Sequence, residues 1–169
     1  MKIGESVAPR LLSVRAGEQS EWMKLIPILL TLVIVAVSGW AEDTRVKAWG
    51  YLVLGSAYYE GKDDIPQDYK EAVKWFTKSA EEGDRRGQLF LGVCYYQGKG
   101  VTQDYKEAVK WYTKSAEQGD AGAQYRLGNC YYEGEGVTKD YKEAVKWWMM
   151  SANQGSAGAK KVLEKFKSK

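Results

Sequence analysis

The chain has 169 residues with 25 basic and 22 acidic side chains, a formal charge of +3 that gives no electrostatic reason to expect nucleic acid as a partner. Histidine is absent, which excludes Ser-His-Asp and Cys-His nucleophile pairs and any imidazole metal site. Two cysteines exclude a disulfide-dense scaffold, whereas 18 glycines, 12 tyrosines and 7 tryptophans point to a repeated motif.

From Leu25 to Ala41 the chain reads LIPILLTLVIVAVSGWA, without a charge. Taken from Met23, it has a basic start at Lys24, an apolar run to Val37, and small residues Gly39 and Ala41 at the −3 and −1 positions. That pattern predicts a secretion signal with translation starting at Met23 and cleavage after Ala41. The alternative is an uncleaved anchor, although a segment of this length containing Pro27 and Gly39 sits at the short limit for spanning a bilayer. Residues 1–41 are therefore assigned to export, and the remainder is expected in the periplasm or outside the cell, or at the inner membrane if the anchor is retained.

Residues 42–155 form three repeats, at about 48–83, 84–119 and 120–155, and 156–169 form a capping helix. DYKEAVKW begins at Asp68, Asp104 and Asp140, each 36 residues after the last. Leu-Gly recurs at Leu54-Gly55, Leu91-Gly92 and Leu127-Gly128, the first interval being one longer because of an extra loop residue near Asp63-Asp64. A period of this size means stacked units that cannot bury their apolar faces alone. Each unit reads as two helices. Asp68, Asp104 and Asp140 are predicted N-caps of the second helix, with Glu71, Glu107 and Glu143 completing capping boxes. That helix stops at Gly83, Gly119 or Gly155, and Asp84, Asp120 and Ser156 cap the next one. The first helix of each unit ends at Gly61, Gly98 or Gly134. Gly55, Gly92 and Gly128 lie inside a helix, which calls for close approach of the partner helix at Ala72, Ala108 or Ala144. In the tail, Leu163 lies 36 residues after Leu127, so residues 156–169 read as a half-repeat with a lysine-rich outer face.

The pattern A-G-A-Q-x-x-L-G-x-x-Y-Y-x-G-x-G-V-x-x-D-Y-x-E-A-V-x-W, from Ala121 to Trp147, resembles the Sel-one-like repeat, a relative of the tetratricopeptide repeat. The resemblance covers about residues 48–159 and implies an all-α, right-handed α-solenoid of three two-helix repeats plus a C-terminal capping helix. It also implies an adaptor that binds a protein or peptide in a concave groove, with bacterial members often exported. A cysteine-rich subset resembles β-lactamases in activity and carries one disulfide per repeat. This chain departs from it, with one cysteine in each of two repeats.

On the first helix of each unit, Tyr51, Leu54, Gly55 and Tyr58 are expected to form the core stripe. A second stripe about 100° away holds Leu52, Ser56 and Tyr59, then Leu89, Val93 and Tyr96, then Tyr125, Asn129 and Tyr132. By resemblance these line the groove, with Gln97, Asn129 and Glu133 at its margin; the competing reading is that they pack neighbouring repeats together. On the second helices Lys70, Lys74, Lys78, Lys106, Lys110, Lys114, Lys142 and Lys146 make a basic band. It reads as a solvated face, with a weak membrane contact as its functional alternative. Trp75, Trp111 and Trp147, each followed by a second aromatic, are expected to pack between repeats. Cys94 and Cys130 are expected as buried free thiols. No catalytic, cofactor or metal site is expected. Gly98-Lys99-Gly100 and Gly134-Glu135-Gly136 follow helices rather than strands, so they read as turns. The favoured function is a non-enzymatic interaction module. The alternatives are a hydrolase of cell-wall or lactam substrates, by analogy alone, and an envelope-associated structural protein.

Overall fold

The computed structural model describes residues 44–61 and 64–168. Met23, the Leu25–Ala41 segment and the loop residue Asp63 lie outside the described residues. The described chain forms seven helices: α1 (Thr44–Glu60), α2 (Tyr69–Glu81), α3 (Arg85–Gln97), α4 (Tyr105–Glu117), α5 (Ala121–Glu133), α6 (Tyr141–Asn153) and α7 (Ala157–Lys167). Consecutive helices pack together throughout, so α1–α2, α3–α4 and α5–α6 are hairpins stacked into an all-α solenoid, with α7 against α6. No strand occurs among the described residues. α1 starts a turn before the expected repeat boundary.

The helix ends follow from side-chain chemistry. Asp68, Asp104 and Asp140 each accept the N–H groups two and three residues on, at 2.9 and 3.1 Å. Gly83, Gly119 and Gly155 have φ of +88°, +83° and +94°, and Asp84 N–H donates back to Ser79 C=O, Asp120 to Ser115 and Ser156 to Ser151. This double-bonded stop satisfies carbonyls that the helix end leaves free. The capping boxes are only half built, a correction to the sequence reading. The cap N–H groups of Asp68, Asp104 and Asp140 donate to Tyr58, Tyr95 and Tyr131 C=O on the preceding helix, at 2.9–3.0 Å. Glu71, Glu107 and Glu143 therefore have no cap donor to accept and pair instead with Lys74, Lys110 and Lys146.

The interior glycines are required by close contact, with the predicted Ala108 and Ala144 main-chain carbonyls at Gly92 and Gly128 (3.2 and 3.0 Å from an added Cβ), and more tightly still with an aromatic ring. A Cβ at Gly55 would fall 2.5 Å from the Phe76 ring, one at Gly92 2.7 Å from the Tyr112 ring, and one at Gly128 2.5 Å from the Trp148 ring. Those aromatics lie one turn beyond Ala72, Ala108 and Ala144 and are essentially fully buried. Each is thus a large core side chain laid across a glycine notch, and burial of a side chain of that size is worth about 1.5–3 kcal/mol. The tryptophans at 75, 111 and 147 are half-buried; Trp111 and Trp147 edge the clusters between repeats.

A polar ladder runs beside this core. Ser79, Ser115 and Ser151 are buried, and their hydroxyls donate to Ala48, Arg85 and Ala121 C=O at 2.7–2.8 Å, closing each hairpin. Gln88 and Gln124 donate to Ala80 and Ala116 C=O of the preceding repeat, and accept from Gln118 and Gln154. Stranding such a buried group costs about 1–3 kcal/mol, so the ladder fixes stacking register as well as adding stability.

Candidate functional site

The predicted groove stripe divides into three environments. Leu52 and Val93 leave it altogether. Leu52 shares a core cluster with Leu91 and Cys94, and Val93 shares one with Leu127 and Cys130. The cause is stacking: a first helix packs against its own partner and against the next repeat, so its buried arc is wider than an isolated hairpin suggests. The α1 core stripe is accordingly Ala48, Leu52 and Gly55, with Tyr51, Leu54 and Tyr58 half-buried. Ser56, Leu89 and Tyr125 are also half-buried, and Leu89 and Tyr125 seat against Gly122 and Gly158 of the next first helix.

The tyrosines form the second environment. The Tyr59 hydroxyl donates to Gln97 Oε1 at 3.1 Å and accepts from Lys99 Nζ at 3.0 Å. Lys99 also stands over the Tyr59 and Tyr69 rings, at 4.8 and 4.9 Å, and its hydrogen bond to Tyr59 raises its pKa. The Tyr96 hydroxyl donates to Glu135 Oε2 at 2.6 Å, and that bond, followed by burial, pushes its pKa well above the ordinary phenol value. Both loop residues are held by geometry. Gly100 and Gly136, at φ of +74° and +73°, sit so close to Tyr69 and Tyr105 C=O that a Cβ has no room. The GKG and GEG turns are therefore clasps between repeats.

Among the described residues no such clasp covers the stripe at the third repeat, and a pocket of about 390 Å³ opens. Tyr96, Asn129, Tyr132 and Glu133, all on the predicted stripe or its margin, form one wall. Trp148 of α6 and Val162, Lys165 and Phe166 of α7 form the other. Tyr132 packs on Tyr141, Trp148 and Phe166 with ring centroids 5.3–6.3 Å apart. Asn129 Oδ1 accepts the Trp148 indole N–H at 2.9 Å, which orients the amide and leaves its N–H groups for a ligand. The α7 wall was not foreseen. Its signal was Phe166, which stands at the position of Cys94 and Cys130 and is 36% exposed where those are buried.

Elsewhere the chemistry is quiet. Cys94 and Cys130 are free and buried in different clusters, and burial pushes both thiols up to about 12. The eight lysines of the basic band are exposed. Lys74, Lys110 and Lys146 are paired with glutamates, and Lys78 and Lys114 lie over Trp75 and Trp111 at 4.2 and 4.3 Å. With three of the eight lysines paired and two stacked in this way, the band is a solvated face with diluted charge. Among the described residues no helix is long and apolar enough to cross a membrane.

Comparison with known proteins yields three matches to the family described as Sel1 repeat, at residues 50–84, 85–120 and 121–156. No curated protein sequence matches the chain. Among solved structures, a protective antigen of uropathogenic Escherichia coli with an SLR fold is similar at 42% identity and TM-score 0.65, over 66% of this chain and 24% of that one. A Sel1 repeat protein from Oxalobacter formigenes is 32% identical at TM-score 0.68, over 80% of this chain and 97% of that one. Cysteine rich protein B of Helicobacter pylori is 25% identical at TM-score 0.56, over 72% and 95%. This chain thus spans about a quarter of the length of the E. coli antigen.

Proposed function

The chain belongs to the Sel1 repeat family, and from that premise we propose that it is an exported, non-enzymatic adaptor that holds a partner's peptide or helix in the pocket of its third repeat. Sel1-repeat proteins are generally protein-interaction modules and typically non-enzymatic scaffolds. The observation that carries the reading is the contrast between tyrosines: Tyr59 and Tyr96 have their hydroxyls occupied, while Tyr132 sits in an open, aromatic-walled pocket. An aromatic floor with few directed polar groups suits an apolar side chain flanked by peptide main chain. The Asn129 amide supplies the donor for a main-chain carbonyl, and Glu133 and Lys165 set charge at the two margins. Export rests on the Met23–Ala41 pattern, and the E. coli relative's description as a protective antigen is in keeping with it.

The test is affinity capture from envelope extract followed by mass spectrometry. Tyr132→Ala is expected to lose the partner while the far-ultraviolet circular dichroism stays helical. Capture that Tyr132→Ala leaves unchanged refutes the pocket. N-terminal sequencing of the exported protein is expected to begin at Glu42.

A further inference from the structure

We propose that the outer face of α1 is a second docking surface, for an α-helix of a partner protein that presents a pair of small residues. Aligning the first helices on Gly55, Gly92 and Gly128 puts Gly50, Gly87 and Ala123 at one position, with Ala159 at the same place in α7. In each later copy the preceding helix closes that position. Ala123 and Ala159 are fully buried, and a Cβ at Gly87 would strike the Ser79 side chain and lie 2.9 Å from the Ala80 main-chain nitrogen. At Gly50 a Cβ would meet nothing within 4 Å. The same split recurs three residues on. Phe90 stacks on Phe76 of the preceding repeat with centroids 5.1 Å apart, whereas its counterpart Val53 is 40% exposed. Val46 at 42% and Trp49 at 55% complete an apolar stripe along one side of α1.

The array's own stacking interface defines the occupant. Inside the solenoid this surface is met by the end of a helix carrying Ser79-Ala80, Ser115-Ala116 or Ser151-Ala152. Continued outward by one step, the interface calls for a helix with a Ser-Ala-like pair over Gly50 and an apolar side chain against Val53. A second copy does not offer one, because Ser79, Ser115 and Ser151 are all buried. On the export reading, which this inference uses, the segment before Glu42 is removed, so the helix comes from another chain.

The probe is a dye-labelled, hydrocarbon-stapled helix with the sequence of residues 69–81, YKEAVKWFTKSAE, titrated into the chain purified from the envelope and read by fluorescence anisotropy. Saturable binding is expected, weakened at least tenfold by Gly50→Gln and by replacing the probe's Ser-Ala with Gln-Gln. Gly50→Gln points into open space and replaces a helix-interior glycine, so its melting temperature is expected to equal or exceed that of the parent chain. Tyr132→Ala is expected to bind the probe normally, which separates this face from the groove. Absence of binding, or binding indifferent to Gly50→Gln, overturns the proposal. So does self-association that Gly50→Gln abolishes, which would give the face to a second copy.

Discussion

Repeats two and three share one backbone plan and differ in what one buried aromatic asks of its surroundings. Tyr112 and Trp148 occupy the same place, each laid across an interior glycine, Gly92 or Gly128. In repeat three the indole N–H finds Asn129 Oδ1 at 2.9 Å. In repeat two the residue at that position is Val93, and the buried Tyr112 hydroxyl makes no hydrogen bond within its own hairpin, with Arg126 of the next repeat beside it. Burial raises the Tyr112 pKa, with Arg126 pulling partly against it. Repeat two is closed over by its neighbour through Tyr96 and Glu135, while repeat three, bordered by α7, keeps a pocket. Near-identical hairpins thus become a sealed core in one place and an open pocket in the next, and the difference lies in two or three side chains.

The strongest way to break this comparison is Gly128→Leu. The new side chain is driven into the Trp148 ring, and a loss of about 3 kcal/mol or more is expected in urea unfolding. Asn129→Val makes repeat three resemble repeat two and strands the Trp148 N–H. A loss of about 2 kcal/mol is expected, together with weaker partner capture. Gly50→Ala, at the equivalent of Gly87 but with nothing within 4 Å, is expected to gain about 1 kcal/mol from helix propensity alone. A loss there would mean that the α1 face is already covered. Tyr112→Phe removes a buried hydroxyl beside Arg126 and is expected to be neutral or to gain about 0.5 kcal/mol, the opposite sign to Asn129→Val. The smallest effect at neutral pH comes from Cys94 and Cys130, whose folded pKa of about 12 lies above the ordinary thiol value of 9.0. Because the unfolded thiols ionise first, their contribution is fully present below pH 9 and is lost as pH rises toward 12. A double Cys→Ala variant is expected to flatten the alkaline fall in melting temperature. Alkylation of the native protein at pH 8 is expected to be slow without denaturant.

Much of the fold was legible because its determinants are local. The period of 36, the aspartate caps at 68, 104 and 140, and the positive-φ glycines at 83, 119 and 155 act within a few residues of themselves. They reach the same outcome in any hairpin of this kind. Glu71 looked equally local, yet its cap donor was taken by the Tyr58 carbonyl from across the hairpin. The pocket was legible only in outline. Four of the stripe and margin residues, Tyr96, Asn129, Tyr132 and Glu133, line one pocket. Leu52 and Val93, at that same spacing, went into the core, and the α7 wall of Val162, Lys165 and Phe166 was marked in the sequence only by Phe166 at the repeat position of the two cysteines.

The amino-acid order alone determined that this chain makes paired helices, where all but the first begin and where they stop, and that the pairs stack, because caps, turns and apolar periodicity act over one or two helical turns. Only the tertiary structure decided which aromatic fills each glycine notch, which tyrosines are clasped and which one stays open. Those outcomes turn on contacts between residues about 20 to 40 positions apart, where burial and hydrogen bonding depend on what the neighbouring repeat brings into reach.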